Sequence, residues 1–117
     1  MQVEDLVGAL LRYDSLAARQ WIADAARAEL RWDAVPEPRD LDSRAKIVAA
    51  GIVETLAGRA GVRPPAWTST IGPSEQPILL VQAAARLPHL RELCESSGPE
   101  PLRARRVLAP PDFLTAA

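Results

Sequence analysis

SRAKIVAAGIVETLAGRA, residues 43–60, is the stretch of sequence that decides the fold of this chain. Its apolar residues recur every three to four positions, which places them on one face of an α-helix; one stripe consists of Ala45, Ala49, Ile52 and Leu56. Asp40 or Asp42 is positioned as the N-cap, and Gly61 follows as a left-handed C-cap. The pattern predicts a core helix, and its internal Gly51 indicates either close approach by another helix or simple sequence drift.

Helical patterns also flank this segment on both sides. The N-terminal stripe is Val3, Leu6, Val7, Leu10 and Leu11. Asp14 or Ser15 is predicted to cap a second helix that extends to about Arg31. After the core helix, the apolar residues 78–87 are predicted to be helical, and Pro88 is predicted to open a short helix.

The composition supports an all-α fold. Apolar residues make up 48% of the chain, much of it alanine, and aromatic residues only 4%. Because alanine favours helices and strand-forming residues are scarce, closely packed helices are expected rather than a β-sandwich. We predict a small bundle of four or five helices with a proline-rich loop and an extended C-terminal arm.

The proline-rich loop follows the core helix. Pro64 and Pro65 are predicted to hold the backbone extended and to present Trp67. A tryptophan in that position either anchors an interface or covers a small core. Both interpretations of Trp67 remain open at this stage.

The C-terminal residues combine basic and apolar side chains. Gly98 and Pro99 interrupt the chain, which predicts a helical domain over residues 1–97 and a docking arm over residues 98–117. Arginine forks pair with carboxylates or phosphates, and apolar groups gain from burial. We therefore expect a partner to contact the arm, the alternative being a solvated tail with no partner; the predicted contacts are Trp67, Arg103, Arg105, Arg106, Val107, Leu108, Phe113 and Leu114.

Charge and cysteine content favour a cytoplasmic protein. The net charge of −1 provides no overall attraction for nucleic acid. The single cysteine, Cys94, excludes an intramolecular disulfide and fits a reducing compartment. The N-terminus carries acidic residues where a signal peptide has basic ones, and no stretch approaches the length of a membrane span.

A search for catalytic chemistry favours structural interpretations. His89 and Cys94 are too few to form a structural zinc site, and the scattered glycines form no phosphate-binding loop. The acidic pair Asp40 and Asp42 is better explained by helix capping than by acid–base catalysis. We therefore expect neither enzymatic activity nor a cofactor.

Two segments carry a resemblance to a known group of proteins. These are GRAGVRPPAWT at residues 58–68 and LPHLRELCESSGPEPLRARRVLAPPDFLTAA at residues 87–117. They resemble small helical proteins, mostly actinobacterial, that are similar to antitoxins encoded beside nucleotidyltransferase-like toxins. The matching positions are Pro65, Ala66, Trp67 and Thr68, then Glu95 and Ser96, then Arg103, Arg105 and Arg106. The chain departs from the group at Ala104, which interrupts the arginine cluster, and at Leu102, which replaces an aromatic residue.

The resemblance implies an antitoxin that binds a nucleotidyltransferase-like toxin and blocks its active site or its access to substrate. Some toxins of that type add nucleotides to the acceptor end of tRNA. Two alternatives belong to other classes of protein. One is a DNA-binding autorepressor with weak affinity for its own operator, and the other is an enzyme that modifies the toxin covalently.

Overall fold

The computed structural model describes residues 2–115, and its secondary structure is mostly helical, with 57% helix and 4% strand. The predicted all-α fold is confirmed. The helices are α1 (Val3–Leu11), α2 (Ser15–Arg27), α3 (Ser43–Arg59), α4 (Pro88–Ser97) and α5 (Glu100–Arg103). Two short strands are β1 (Ile78–Leu79) and β2 (Val107–Leu108), and 3-10 turns cover Trp32–Ala34, Ala66–Thr70 and Gln82–Ala85. Across residues 2–115, each helix is too short or too polar to cross a membrane.

Helix α3 lies at the centre of the fold, as its sequence predicts. The carboxylate of Asp42 caps it by accepting a hydrogen bond of 2.8 Å from the Ala45 amide. Gly61 follows the helix with a φ of +72°, a left-handed conformation that costs glycine little. Burial extends around most of the helix because α1, α5 and two of the 3-10 turns all pack against it.

Helix α2 packs on α1, and α1 in turn packs on α3. Asp14 caps α2 through a 3.0 Å hydrogen bond from the Ala17 amide. Helix α2 ends at Arg27, earlier than predicted, because Glu29 adopts a left-handed φ of +53°. The Leu30 amide then donates to the Ala25 carbonyl, which closes the helix in a Schellman-type turn.

The helix predicted over residues 78–87 is wrong at its start, and only a short 3-10 turn, Gln82–Ala85, forms within it. Residues 78–79 instead form β1, which pairs in parallel with β2. The Ile78 amide donates to the Arg106 carbonyl at 2.9 Å, and the Leu80 amide donates to the Leu108 carbonyl at 3.0 Å. Pairing with a distant part of the chain overrides the local helical preference here.

The C-terminal segment packs against the helices up to Ala109. Leu102, Val107 and Ala109 are fully buried in the same core as α1 and α3. At Gly98 the backbone lies so close to the Ala109 carbonyl that a Cβ atom would overlap that oxygen. Residues 98–109 therefore share the core of the preceding residues. Of the predicted docking arm, residues 98–117, Ala116 and Ala117 lie outside the described residues.

Candidate functional site

Arg105, a predicted partner contact, is buried and forms a cross-link within the fold. Only 7% of its surface is exposed. Its two terminal nitrogens donate to the two carboxylate oxygens of Glu54 at 2.7 and 3.0 Å. Its remaining hydrogen bonds go to the backbone carbonyls of Pro101, Thr68 and Ile71. These bonds occupy the donors of the guanidinium within the fold, so the contact of Arg105 with a partner stays a prediction that its hydrogen bonding does not favour.

Glu54 supplies the negative charge of this cross-link from helix α3. Partial burial alone would raise the pKa of Glu54. The hydrogen bonds and the positive charge of Arg105 outweigh that effect, so the pKa of Glu54 lies below its ordinary value. The carboxylate therefore stays ionised at neutral pH and keeps its bidentate pairing with Arg105.

Arg103 and Arg106, by contrast, remain exposed. Arg103 donates to the Gly98 carbonyl at 2.6 Å, and Arg106 donates to the Glu75 carbonyl at 2.9 Å. Each of these bonds uses one nitrogen of its guanidinium, which leaves the others facing solvent. Both side chains are therefore positioned to meet an acidic surface.

Three further predicted contacts belong to the interior or its edge. Val107 and Leu108 form β2 and are buried in the fold, so burial does not favour their predicted contact with a partner. Trp67 is half-buried against the core, and its indole N–H donates to the Val35 carbonyl at 2.8 Å. Of the two interpretations of Trp67, the structure favours the covering of a small core.

Phe113 and Leu114 lie on the terminal turn, residues 110–115, which follows β2. Both side chains are half-buried, and both line an open cleft of about 880 Å³. The cleft is also lined by Leu10 of α1, Ile22 of α2 and Tyr13, which lies between the two helices. The surface that lines this cleft is mainly apolar.

The backbone is strained on both sides of the cleft. Tyr13 and Leu114 each have a φ of 58°, in the left-handed region that bulky side chains rarely adopt. The Tyr13 hydroxyl donates to the Leu79 carbonyl at 3.2 Å and so links the helical hairpin to β1. Tyr13 closes α1 in the same Schellman-type turn that Glu29 forms at the end of α2. The cleft is therefore the leading candidate surface because of its apolar lining.

No family model, curated protein or solved structure matches the chain. The candidate site is therefore interpreted from its own chemistry, which is that of a contact surface. An apolar concavity lies beside the terminal turn, and exposed guanidinium groups lie on the preceding segment.

His89 and Cys94 lie apart from this surface. His89 is exposed at the start of α4, whereas Cys94 is buried in the same helix. Burial raises the pKa of the Cys94 thiol, so it remains protonated at neutral pH and is a poor nucleophile. Within residues 2–115, no cluster of three or more His, Cys, Asp and Glu side chains is arranged to hold a metal ion.

Two parts of the candidate site are not predicted from the sequence. One is the lining of the cleft contributed by α1, α2 and Tyr13, and the other is Arg59, which binds the terminal turn. Tyr13 ends a helix, and Arg59 lies in the last turn of α3, where a basic residue is common. Nothing in the local sequence marks either residue as functional. Arg59 acquires its role through the carbonyls of Pro111 and Phe113, to which it donates hydrogen bonds.

Proposed function

We propose that this protein is an antitoxin that binds and neutralises a nucleotidyltransferase-like toxin in the cytoplasm. The observation that carries the proposal is the position of Phe113, the only phenylalanine of the chain, half-exposed beside an apolar cleft. Large aromatic side chains at such positions often dominate the energy of a protein interface. The class of partner rests on the resemblance of residues 58–68 and 87–117.

Arg103 and Arg106 supply the polar part of the proposed interface. A nucleotidyltransferase active site holds metal-binding carboxylates, and guanidinium groups pair with carboxylates through two parallel hydrogen bonds. In the proposed complex, Phe113 and Leu114 enter an apolar recess of the toxin while an arginine approaches its acidic site. This arrangement blocks substrate and requires no catalysis by the antitoxin.

Expression with the toxin tests the proposal. We expect a nucleotidyltransferase-like protein to be encoded beside this gene. That protein should arrest growth when it is produced alone, and the full chain should relieve the arrest. With purified proteins, inhibition of nucleotide transfer should be complete once the antitoxin equals the toxin in concentration. The absence of a complex at micromolar concentrations would contradict the proposal.

The same purified proteins distinguish the proposed neutralisation from the two alternative functions, covalent modification of the toxin and repression of the operon. A new covalent mass on the toxin after incubation with this chain would indicate an enzyme. Salt-dependent binding to the promoter, absent for a scrambled sequence, would indicate an autorepressor. For neutralisation by contact alone, we expect an unchanged mass of the toxin and recovery of its activity when the complex dissociates.

A further inference from the structure

The terminal turn, residues 110–115, is fastened to the fold differently from the segment that precedes it. Its backbone bonds are local: the Phe113 amide donates to the Pro110 carbonyl, and the Thr115 amide to the Asp112 carbonyl. Within residues 2–115, the hydrogen bonds that join this turn to the rest of the chain are both donated by Arg59. They reach the carbonyls of Phe113 at 2.6 Å and Pro111 at 3.3 Å.

Residues 98–109, in contrast, are held by buried groups. Arg105 and the β1–β2 pairing anchor that segment in the core. Arg59 is exposed, so water weakens its two hydrogen bonds without abolishing them. Phe113 and Leu114 add packing against the core, but both side chains are only half-buried. The terminal turn is therefore expected to open locally while the rest of the fold stays intact.

Opening of the turn has a direct consequence for the cleft. Phe113 and Leu114 line the cleft together with Leu10 and Ile22. In the closed position Phe113 and Leu114 are half-buried against the core, and Leu114 keeps its left-handed backbone conformation. Release of the turn frees both side chains from the wall of the cleft and relieves the strain at Leu114.

We propose that the terminal turn is an autoinhibitory clasp, which Arg59 holds closed against the cleft and which opens to present Phe113 and Leu114 to the partner. The identity of the partner rests on the function proposed above, whereas the opening itself does not. For a partner that binds only the open form, the apparent Kd equals the intrinsic Kd divided by the fraction of molecules that are open. Loosening the clasp should therefore strengthen binding.

Brief chymotrypsin treatment of the native full-length protein measures the opening, since cleavage after Phe113 requires a released turn. The rate of this cut, followed by mass spectrometry, reports the open population when closing is faster than cleavage. We expect Arg59→Ala to raise the rate roughly five- to ten-fold, because two hydrogen bonds from a charged group are lost. Arg63→Ala, a matched loss of an exposed arginine, should leave the rate unchanged.

Three results would overturn the clasp. The first is an increase in cleavage rate of less than about three-fold for Arg59→Ala, and the second is an equal increase for Arg63→Ala. The third is cleavage of the wild-type protein as fast as that of a free peptide. If the clasp is correct, Arg59→Ala should also bind the purified toxin more tightly by the factor seen in cleavage. Unchanged affinity of a variant that does bind the toxin would contradict the autoinhibitory role. Failure of every variant to bind the toxin would instead contradict the proposed function, while the cleavage rates would still report on the opening.

Discussion

Replacing Arg105 by alanine is expected to lower the free energy of unfolding by about 3–5 kcal/mol, the cost typical of removing one partner from a buried ion pair. The substitution leaves the partly buried carboxylate of Glu54 without its counter-charge. It also removes hydrogen-bond donors from three backbone carbonyls, those of Thr68 and Ile71 in one segment and that of Pro101 in another. Urea denaturation followed by circular dichroism measures the loss.

Arg103→Ala is the matched control for this prediction. Arg103 is exposed and lies two residues before Arg105, so its removal should change the stability by no more than about 0.5 kcal/mol. If Arg105→Ala does not fold, Glu54→Gln provides a milder test of the same pair. That variant keeps the shape of the side chain, removes its charge and should cost about 1–2 kcal/mol. Equal effects of the two arginine substitutions would contradict the structural role of Arg105.

Leu102→Ala is expected to destabilise the protein by about 2–5 kcal/mol, because it opens a cavity in a tightly packed part of the core. Leu102 is fully buried against α3. A Cβ atom added at Gly51 would lie only 2.6 Å from a methyl group of Leu102, which shows how closely the two segments approach. The predicted loss is measured by the same urea titration.

Leu16→Ala provides the control for Leu102→Ala, since the chemical change is identical but the side chain is 78% exposed. We expect the control to change the stability by less than about 0.5 kcal/mol. Similar losses at the two leucines would contradict the burial of residues 98–109. A chain truncated after Pro101 is not a suitable test of partner binding. It lacks both Leu102 and Arg105, so a loss of binding could result from a loss of folding.

Much of the helical framework could be predicted from the sequence, because it depends on local patterns. The stripe in α3 indicates which face is buried, and Asp14, Asp42 and Gly61 mark helix ends through their own backbone or side-chain chemistry. Gly51 suggested close approach by a helix, and the approaching segment is α5. These features each depend on a few neighbouring residues.

The C-terminal segment could not be predicted because its contacts are with residues far away in sequence. Arg105 pairs with Glu54, and β2 pairs with β1, so neither partner is visible in a local window. The local sequence does not distinguish the three arginines of residues 103–106, yet Arg105 is buried whereas Arg103 and Arg106 are exposed. The apolar residues that suggested a docking arm serve the core up to Ala109, and the candidate contact surface is confined to the terminal turn, Arg103 and Arg106.

Amide hydrogen exchange of the native protein tests most directly the central claim that residues 98–109 belong to the core while the terminal turn opens by itself. The amides of Ile78 and Leu80 donate to the carbonyls of Arg106 and Leu108, so their protection reports the docking of this segment. We predict that their opening free energies agree with that of Val53 in α3 to within about 1 kcal/mol, and that the Phe113 amide exchanges far faster. Exchange of Ile78 and Leu80 at the rate of an unstructured peptide, with Val53 still protected, would contradict the account.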